Sequence, residues 1–272
     1  MLILAATPIG NLSDASPRLR EALANADVIA AEDTRTTHHL LSALGLTTDA
    51  KLVALHDHNE TAKAAEIAEL ARDKDVVLVS DAGMPGISDP GFGVVRAAHE
   101  RGVTVTVVPG PSAGIAALAV SGQPTDRFAF EGFVPRKGQA AYFANLSREP
   151  RTLIFYESPH RLADSLAAAR DAFGPDRPAT VVRELTKMYE EVANGTLGDL
   201  ADRFTGENRG EIVLVIAGAT VTAMSLEDAL ADVRARVATG ERLKDACREV
   251  ADVTGIPSRD LYAAAIEKPS AP

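Results

Sequence analysis

Short β-branched or apolar runs alternate with helix-like stretches through the first 120 residues, and this alternation restricts the possible folds more than any other feature of the chain. The strand-like runs are residues 2–6, 27–31, 51–55, 75–80 and 103–108. The helix-like stretches are residues 17–25, 37–44, 60–72, 92–101 and 112–120. This repeat predicts a parallel sheet with helices on both faces. Ligands of such sheets bind beyond the carboxyl ends of the strands, so functional residues are expected there.

After residue 120 the pattern changes to that of a second, mixed α/β domain. Strand-like runs cover residues 152–157, 179–185, 190–194 and 211–217. The last three follow one another with little helix between them, which predicts antiparallel pairs. Ser158 is expected to cap a helix that starts with a proline and carries an apolar stripe as far as Phe173.

The last fifty residues predict a small helical appendix. Its apolar faces are formed by Leu226, Leu230, Val233 and Val237, by Leu243, Cys247 and Val250, and by Leu261 and Ala265. The tail 268–272 is expected to be disordered. The predicted fold class is therefore α/β, with a Rossmann-like parallel-sheet domain at 1–120, a mixed-sheet domain at 121–220 and a helical appendix at 221–272.

Charge and composition exclude several function classes. The formal net charge is -10 and Trp is absent, which argues against a protein that binds bare nucleic acid through Lys, Arg and stacked aromatic rings. The single cysteine, Cys247, rules out intrachain disulfides and multi-cysteine zinc sites and fits a reducing, cytoplasmic location. The first residues lack the positively charged start of a signal peptide. The longest uncharged stretch is interrupted by Pro109 and Pro111, so a membrane-spanning helix is not expected there.

A loop rich in glycine and proline, residues 80–91, directly follows the fourth predicted strand. It has three glycines and two prolines, which allow close approach of a ligand to the backbone. It has no Lys or Arg and contains Asp81 and Asp89, so it would repel a phosphate. A neutral or cationic ligand with hydroxyl groups fits it better, and a purely structural turn is the alternative.

The segment 110–114 formally matches GxSxG, the nucleophile elbow of α/β-hydrolases. A triad needs a later histidine, and His160 is the only histidine after Ser112. Ser112 is therefore expected to cap a helix and contact a ligand, with a plain helix cap and a hydrolase nucleophile as the alternatives.

Polar residues follow the second and third predicted strands, at 32–39 and 56–60. His56 and His58 could hold a metal with Asp33 or Glu60, but solvated helix caps and a polar, substrate-facing rim are the competing interpretations. Charged residues also lie at strand ends or loops of the second domain, at 127–137, 155–161 and 183–187, where they form either a solvated rim or a contact for a polyanion.

Eight motifs occur together in one order along about residues 1–220. They are TPIGNLSD (7–14), AEDTRTT (31–37), HDHNE (56–60), SDAGMPGISDPG (80–91), VPGPSA (108–113), SGQPTDRFAFEGFVPRK (121–137), FYESPHRL (155–162) and RELTKMYEEVANGTL (183–197). In this combination the chain resembles the ribosomal RNA small-subunit methyltransferase I family, the cytidine 2′-O-methyltransferase branch of the tetrapyrrole methylases.

The resemblance implies a two-domain, tetrapyrrole-methylase-like fold that binds S-adenosylmethionine in a cleft closed by the second domain, as a homodimer. Its substrate would be a cytidine ribose in the decoding region of small-subunit (16S) ribosomal RNA, within an assembled 30S subunit. The cofactor-binding residues it implies are Pro8, Ser80, Asp81, Gly83, Pro85, Pro109, Gly110, Ser112, Ala113, Tyr156, Glu157 and Ala193. S-Adenosylmethionine suits the loop at 80–91 because its ribose hydroxyls can donate to Asp81 and its sulfonium tolerates acidic neighbours.

Methyl transfer to a ribose 2′-oxygen needs alignment of the reacting atoms and removal of a proton from a weakly acidic hydroxyl, but no metal. Asp33 and Glu184 are the candidate bases, and Arg35 and Lys187 the candidate phosphate or orientation contacts. Three alternatives remain: a methyltransferase acting on a tetrapyrrole of the precorrin or uroporphyrinogen type, the serine hydrolase, and a non-catalytic RNA-binding or assembly factor. The appendix either packs at a dimer edge or contacts RNA through Arg242, Lys244, Arg248 and Arg259.

Overall fold

The computed structural model describes residues 1–56, 58–219 and 225–266. The chain separates into two compact units, Met1–Gly218 and Ala219–Pro272. The predicted boundary between residues 120 and 121 falls inside the first unit and stays a prediction. The tail 268–272, predicted to be disordered, lies outside the described residues.

The first unit begins with a five-stranded, all-parallel sheet in the order β3-β2-β4-β1-β5. Its strands are β1 (Leu2–Ala5), β2 (Val28–Ala31), β3 (Lys51–Ala54), β4 (Val76–Val79) and β5 (Val105–Val108). One face packs on α1 (Pro17–Asn25) and α2 (Thr34–Ala43), and the other on α3 (Glu60–Asp73) and α4 (Phe92–Glu100). Both faces are apolar because a parallel sheet covered by helices is buried on both sides, which confirms the predicted fold class.

A second five-stranded sheet follows, in the order β6-β7-β10-β8-β9. Its strands are β6 (Phe128–Phe133), β7 (Thr152–Glu157), β8 (Pro178–Arg183), β9 (Glu191–Thr196) and β10 (Ile212–Ile216). The β6–β7 pair is parallel and the other pairs are antiparallel, which confirms the mixed sheet. One face packs on α6 (Gln139–Leu146), α7 (Leu162–Phe173) and α8 (Leu197–Arg203), and the other on α5 (Ala113–Ser121). The helix that ends the first alternating pattern thus covers the second sheet.

Three local expectations for this sheet are wrong. A whole helix, α8, separates β9 from β10, and Thr196 and Asp199 start it with a reciprocal capping box. A 3₁₀ turn, Pro159–Arg161, precedes α7, and Ser158 makes no side-chain cap hydrogen bond to the described residues that follow it. Ser112 stands just before α5, but within the described part of the chain its hydroxyl does not cap that helix.

The second unit contains the helices α9 (Leu226–Ala238), α10 (Leu243–Thr254) and α11 (Ser258–Ile266). Its core is formed by Ala229, Val233, Ala246, Cys247, Val250 and Leu261. The predicted face of α9 is wrong at its two ends, because Leu226 and Val237 are exposed and Ala229 is buried instead. Across the described ranges, no helix has the length and apolar character needed to cross a membrane.

Candidate functional site

A cavity of about 410 Å³ opens beyond the carboxyl ends of β2 and β4, where the alternating pattern predicts a ligand. The first sheet's loops and the start of α5 contribute Ile9, Glu32, Asp81, Ala82, Gly83, Met84, Ile87, Asp89, Ser112 and Ala113. The second sheet and its loops contribute Phe133, Tyr156, Glu157, Ser158, Pro159, Val182, Leu185, Gly210, Glu211, Ile212 and Val213. The cavity is large enough for a cofactor-sized molecule.

The cavity is acidic. Five of the described residues that line it are Asp or Glu, and none of them is Lys, Arg or His. The acidic residues are Glu32, Asp81, Asp89, Glu157 and Glu211. A phosphate-bearing cofactor would be repelled here, whereas a cation with hydroxyl donors finds both charge and acceptors. S-Adenosylmethionine has a sulfonium and two ribose hydroxyls, so these residues fit it.

The loop at 80–91 brings backbone to the cavity wall. Gly83 and Thr7 exchange two backbone hydrogen bonds of 2.9 and 3.1 Å, and Gly83 has a φ of +86°, which favours glycine. At the far end of the loop, Glu60 Oε1 accepts hydrogen bonds from the backbone N–H of Gly91 at 2.9 Å and of Gly93 at 2.7 Å. The first turn of α3 therefore holds the loop where it enters α4.

Asp81 connects this loop with the candidate catalytic residues after β2. Its carboxylate accepts a hydrogen bond from the Asp33 backbone N–H at 3.2 Å, and its own N–H donates to Glu32 at 3.3 Å. Burial raises the pKa of the Asp81 carboxyl, and the negative charge of Asp33 adds to this. Asp33 itself forms an ion pair with Arg35 at 2.6 Å, and the side-chain hydrogen bonds from Arg35 lower its pKa to about 2. Neither Asp33 nor Arg35 lines the cavity, although both lie beside Asp81.

The other two candidate catalytic residues form a network behind the cavity wall. Lys187 Nζ lies 2.9 Å from Glu184 and 3.1 Å from Glu211, and the Glu211 backbone N–H donates to Glu184 at 2.9 Å. That backbone hydrogen bond and the one from Lys187 lower the pKa of Glu184. Of the three side chains, only Glu211 lines the cavity, and it follows a loop that sequence patterns did not single out.

The structure brings half of the twelve residues expected to bind cofactor to the cavity wall: Asp81, Gly83, Ser112, Ala113, Tyr156 and Glu157. The other six stand behind or beside it. Pro8, Ser80 and Pro85 are buried. Pro109 is exposed and outside the lining, and Gly110 packs so closely on Ala6 that a Cβ at this position would lie 2.9 Å from the Ala6 Cβ. The Ala193 side chain belongs to the core under α7 and α8.

Tyr156 and Glu157 end β7 at the cavity and are both held by hydrogen bonds. The Tyr156 hydroxyl accepts from the Gly114 N–H at 3.2 Å, so it ties the second sheet to the start of α5. The Glu157 side chain is fully buried and accepts from the Ser158 N–H at 2.7 Å and from the Ser165 hydroxyl. Arg161 lies 3.4 Å from Glu157 and compensates its charge.

Phe133 reaches the cavity because β6 contains a β-bulge. Phe130 pairs with Ile154 and Gly132 with Phe155, so Glu131 is an extra residue in the strand. The bulge places Phe130 and Phe133 on the same face of the sheet, whereas a regular strand would place them on opposite faces. Both rings meet Tyr156 edge-on, with centroids 5.0 and 5.3 Å from it. The charged residues of the segment 127–137 predict a loop or a strand end, so the sequence did not indicate β6.

The metal interpretation finds no support in the described residues, which contain no group of three or more His, Cys, Asp or Glu able to hold an ion. The rings of His56 and His58 lie 6.1 Å apart and both side chains are exposed. Glu60, which was also considered for this site, accepts hydrogen bonds from the backbone N–H groups of Gly91 and Gly93.

Two family models match the chain. The model described as Tetrapyrrole (Corrin/Porphyrin) Methylases matches residues 1–201, and the model described as RsmI C-terminal HTH domain matches residues 225–268. Curated proteins are similar over nearly the full length. The "Ribosomal RNA small subunit methyltransferase I" of Mycobacterium tuberculosis is 48% identical over 98% of this chain and 94% of that protein. The protein of the same name from Escherichia coli O157:H7 is 43% identical over 98% and 95%.

Solved structures are similar at the level of the fold. Uroporphyrin-III-C-methyltransferase from Thermus thermophilus gives a TM-score of 0.56 at 21% identity, over 79% of this chain and 93% of that chain. A diphthine synthase gives 0.60 at 20% identity, over 80% and 90%. At such low identity, these TM-scores show a shared fold and no more.

Proposed function

We propose, from the premise that this chain belongs to the tetrapyrrole methylases and within them to the ribosomal RNA small subunit methyltransferase I family, that it methylates the 2′-oxygen of a cytidine ribose in the decoding region of small-subunit ribosomal RNA. Its activity is that of a methyltransferase that uses S-adenosylmethionine. The observation that carries the proposal is the acidic cavity, whose described lining has five carboxylates and no basic side chain. Two of these carboxylates, Glu157 and Glu211, are paired with Arg161 and Lys187 outside the lining.

The proposed cofactor site combines the loop at 80–91, the start of α5 and the end of β7. Asp81 accepts from the ribose hydroxyls, and the backbone at Gly83 and Ala113 allows close approach. Tyr156 closes the opposite wall. The bound cofactor supplies a methyl group on a positively charged sulfur, which the surrounding carboxylates stabilise. Pro8, Ser80, Pro85, Pro109 and Gly110 support this wall from behind or beside it.

The chain's own contribution to the reaction is alignment and proton removal. The walls would position the acceptor 2′-oxygen for attack on the donor's methyl group, and such alignment lowers the barrier to a displacement. Asp33 and Glu184 remain our proposed bases for the 2′-hydroxyl proton, and Arg35 and Lys187 the residues that orient them or contact phosphate. Each pair is ion-paired, at 2.6 Å for Asp33–Arg35 and 2.9 Å for Glu184–Lys187. Each carboxylate is therefore ionised at neutral pH, and the same contacts that lower its pKa make it a weak proton acceptor.

The charge of the cavity also restricts how RNA can enter it. The lining disfavours phosphates, which favours entry of one ribose and its base while the flanking phosphates stay outside the cavity. This requirement fits a target presented by a folded ribosomal site, and we therefore propose the assembled 30S subunit as the substrate. A homodimer and a cytoplasmic location complete the proposal.

The test is transfer of a labelled methyl group from S-adenosylmethionine to 30S subunits that lack the modification, followed by mapping of the modified nucleotide. We expect one labelled cytidine, resistant to alkaline cleavage at its 3′ side because its 2′-oxygen is blocked. Transfer to a base carbon or nitrogen, transfer to a tetrapyrrole in place of RNA, or no transfer at all would contradict the proposal.

A further inference from the structure

Phe133 is the exposed aromatic side chain at the mouth of the cavity. Its exposed fraction is 61%, and Ile87, which also lines the cavity, is 49% exposed. A phenylalanine ring left largely in water lacks the hydrophobic stabilisation that burial would give. A bulge that turns such a ring toward a ligand site indicates a contact that forms only when the ligand is present.

The backbone around Phe133 is fixed on both sides. Before it, Gly132 has a φ of +69°, which favours glycine, and it pairs with Phe155 of β7. After it, the Arg161 guanidinium donates to the carbonyl oxygens of Val134 at 2.9 Å and Pro135 at 2.7 Å. Arg161 is itself held by the buried carboxylate of Glu157. The ring is therefore a preorganised surface on a rigid support.

We propose that Phe133 is the stacking platform for the base of the target nucleotide. The inference rests on the proposed function and adds to it a binding site for a nucleobase. An extruded base must exchange its neighbours in the helix for another flat, apolar surface, and aromatic side chains supply it in proteins that bind unstacked nucleotides. Arg136 and Lys137 are exposed three and four residues further on, where the flanking phosphates would lie outside the acidic lining.

The position of the ring assigns it to the acceptor and not to the cofactor. The cofactor wall is formed by Gly83, Ala113 and Tyr156, which are buried or partly buried, and the Tyr156 hydroxyl is bound to α5. The acceptor arrives from solvent as part of a macromolecule, so its base meets the exposed lining first. Tyr156 supports Phe133 edge-on from the interior, which leaves the outward side of that ring to the acceptor.

The experiment compares Phe133→Leu, Phe133→Tyr and Phe128→Leu in the full-length protein. Phe128 is the matched control, because it lies on the same strand, is 39% exposed and is absent from the described lining of the cavity. Methyl transfer to 30S subunits is measured as kcat and KM, and S-adenosylmethionine affinity is measured by calorimetry. Thermal melting confirms that each variant is folded.

Loss of stacking is worth about 1–3 kcal/mol per base, so we expect kcat/KM for subunits to fall roughly 5- to 150-fold in Phe133→Leu. Phe133→Tyr restores most of the activity, Phe128→Leu stays close to the unchanged protein, and the cofactor affinity of all three changes less than about twofold. An unchanged kcat/KM in Phe133→Leu, or a parallel loss of cofactor affinity, overturns the inference while the proposed function stands. If the protein without substitutions transfers no methyl group to 30S subunits, the proposed function itself is overturned.

Discussion

At the scale of single residues, Asp81 is the carboxylate that we propose accepts hydrogen bonds from the ribose hydroxyls of the cofactor. Asp81→Asn keeps an oxygen for the Asp33 N–H but removes the charge. Charge-assisted hydrogen bonds are worth about 1.5–3 kcal/mol, so we expect S-adenosylmethionine to bind roughly 10- to 100-fold more weakly by calorimetry. Asp126→Asn, which changes an exposed carboxylate outside the described lining, is the control and should bind normally.

The same substitution should raise the melting temperature. Burial raises the pKa of Asp81, so its ionised form is disfavoured in the folded protein and stability falls as the pH rises through that pKa. Asp81→Asn is therefore expected to melt higher than the unchanged protein at neutral pH, with the difference disappearing below the ordinary carboxyl pKa of 3.8. A lower melting temperature at pH 7 would contradict this assignment of the burial effect.

Arg35 controls the protonation of Asp33. Arg35→Gln removes the ion pair, and we expect the pKa of Asp33 to rise from about 2 toward the ordinary carboxyl value of 3.8. Carboxyl carbon shifts in a ¹³C-labelled sample measure this change during an acid titration. Because the folded pKa is lowered, the stability that Asp33 contributes is complete above its unfolded pKa and is lost as the pH falls toward 2. Arg96→Gln, whose partner is Glu100, should leave Asp33 unchanged.

Individual side-chain roles were predictable only where they depend on local sequence. Asp33 is a residue that precedes a helix and binds an N–H of its first turn, as its position suggests. The pairing of Glu184 with Glu211 and the approach of Glu60 to Gly91 join residues more than twenty positions apart. Rules based on residue spacing cannot predict such contacts, because they depend on how the loops of different strands meet.

At the scale of elements, Glu60 links the start of α3 to the start of α4, where the loop at 80–91 ends. Its two hydrogen bonds satisfy N–H groups at the start of α4 that have no partner within the helix. Glu60→Ala leaves these donors without their carboxylate, so we expect the free energy of unfolding to fall by about 1–3 kcal/mol and cofactor affinity to fall with it. Denaturant unfolding and calorimetry measure the two effects.

Two control variants separate the loss of the Glu60 charge from the loss of its hydrogen bonds. Glu60→Gln keeps an acceptor oxygen and should lose less stability than Glu60→Ala. Glu66→Ala changes an exposed residue of the same helix and should change the stability by no more than about 0.5 kcal/mol. Equal losses in Glu60→Ala and Glu66→Ala would mean that the loop is held by other contacts.

The elements of the first sheet were predictable to within a few residues because apolar strands and amphipathic helices alternate there without interruption. β6 was missed because charged residues and a bulge break its two-residue period between Phe128 and Phe133. α8 was missed although its capping signal, Thr196 followed by Asp199, is present in the sequence. A helix of seven residues is too short for its periodicity to show.

At the scale of the whole molecule, the net charge of -10 governs the encounter with RNA. Residues 1–120 hold 15 acidic and 9 basic side chains, while residues 121–220 hold 14 and 12. Unstructured RNA should therefore bind weakly at about 0.15 M salt, and the logarithm of its affinity should depend on the logarithm of salt with a slope no steeper than about -3. Fluorescence anisotropy across a salt series measures both quantities.

A double variant tests whether Arg136 and Lys137 contact the phosphates of RNA. Arg136→Gln with Lys137→Gln should reduce the magnitude of the salt slope by about 1 to 2 and weaken binding to all sequences alike. Arg96→Gln with Arg72→Gln, which removes two exposed arginines of the first sheet's helices, should leave the slope unchanged. Tight binding of random RNA at physiological salt would contradict this account of the charge.

The acidic lining of the cavity also affects the end of each catalytic cycle. At the proposed site, transfer of the methyl group would turn the sulfonium into a neutral thioether, so the spent donor would lose its attraction to the carboxylates that line the cavity. A single charge pair at about 4 Å is worth on the order of 1 kcal/mol even in water, which corresponds to about a fivefold difference in affinity. The enzyme is thus expected to exchange spent donor for fresh donor without a conformational signal, because the reaction itself removes the charge that kept the molecule bound.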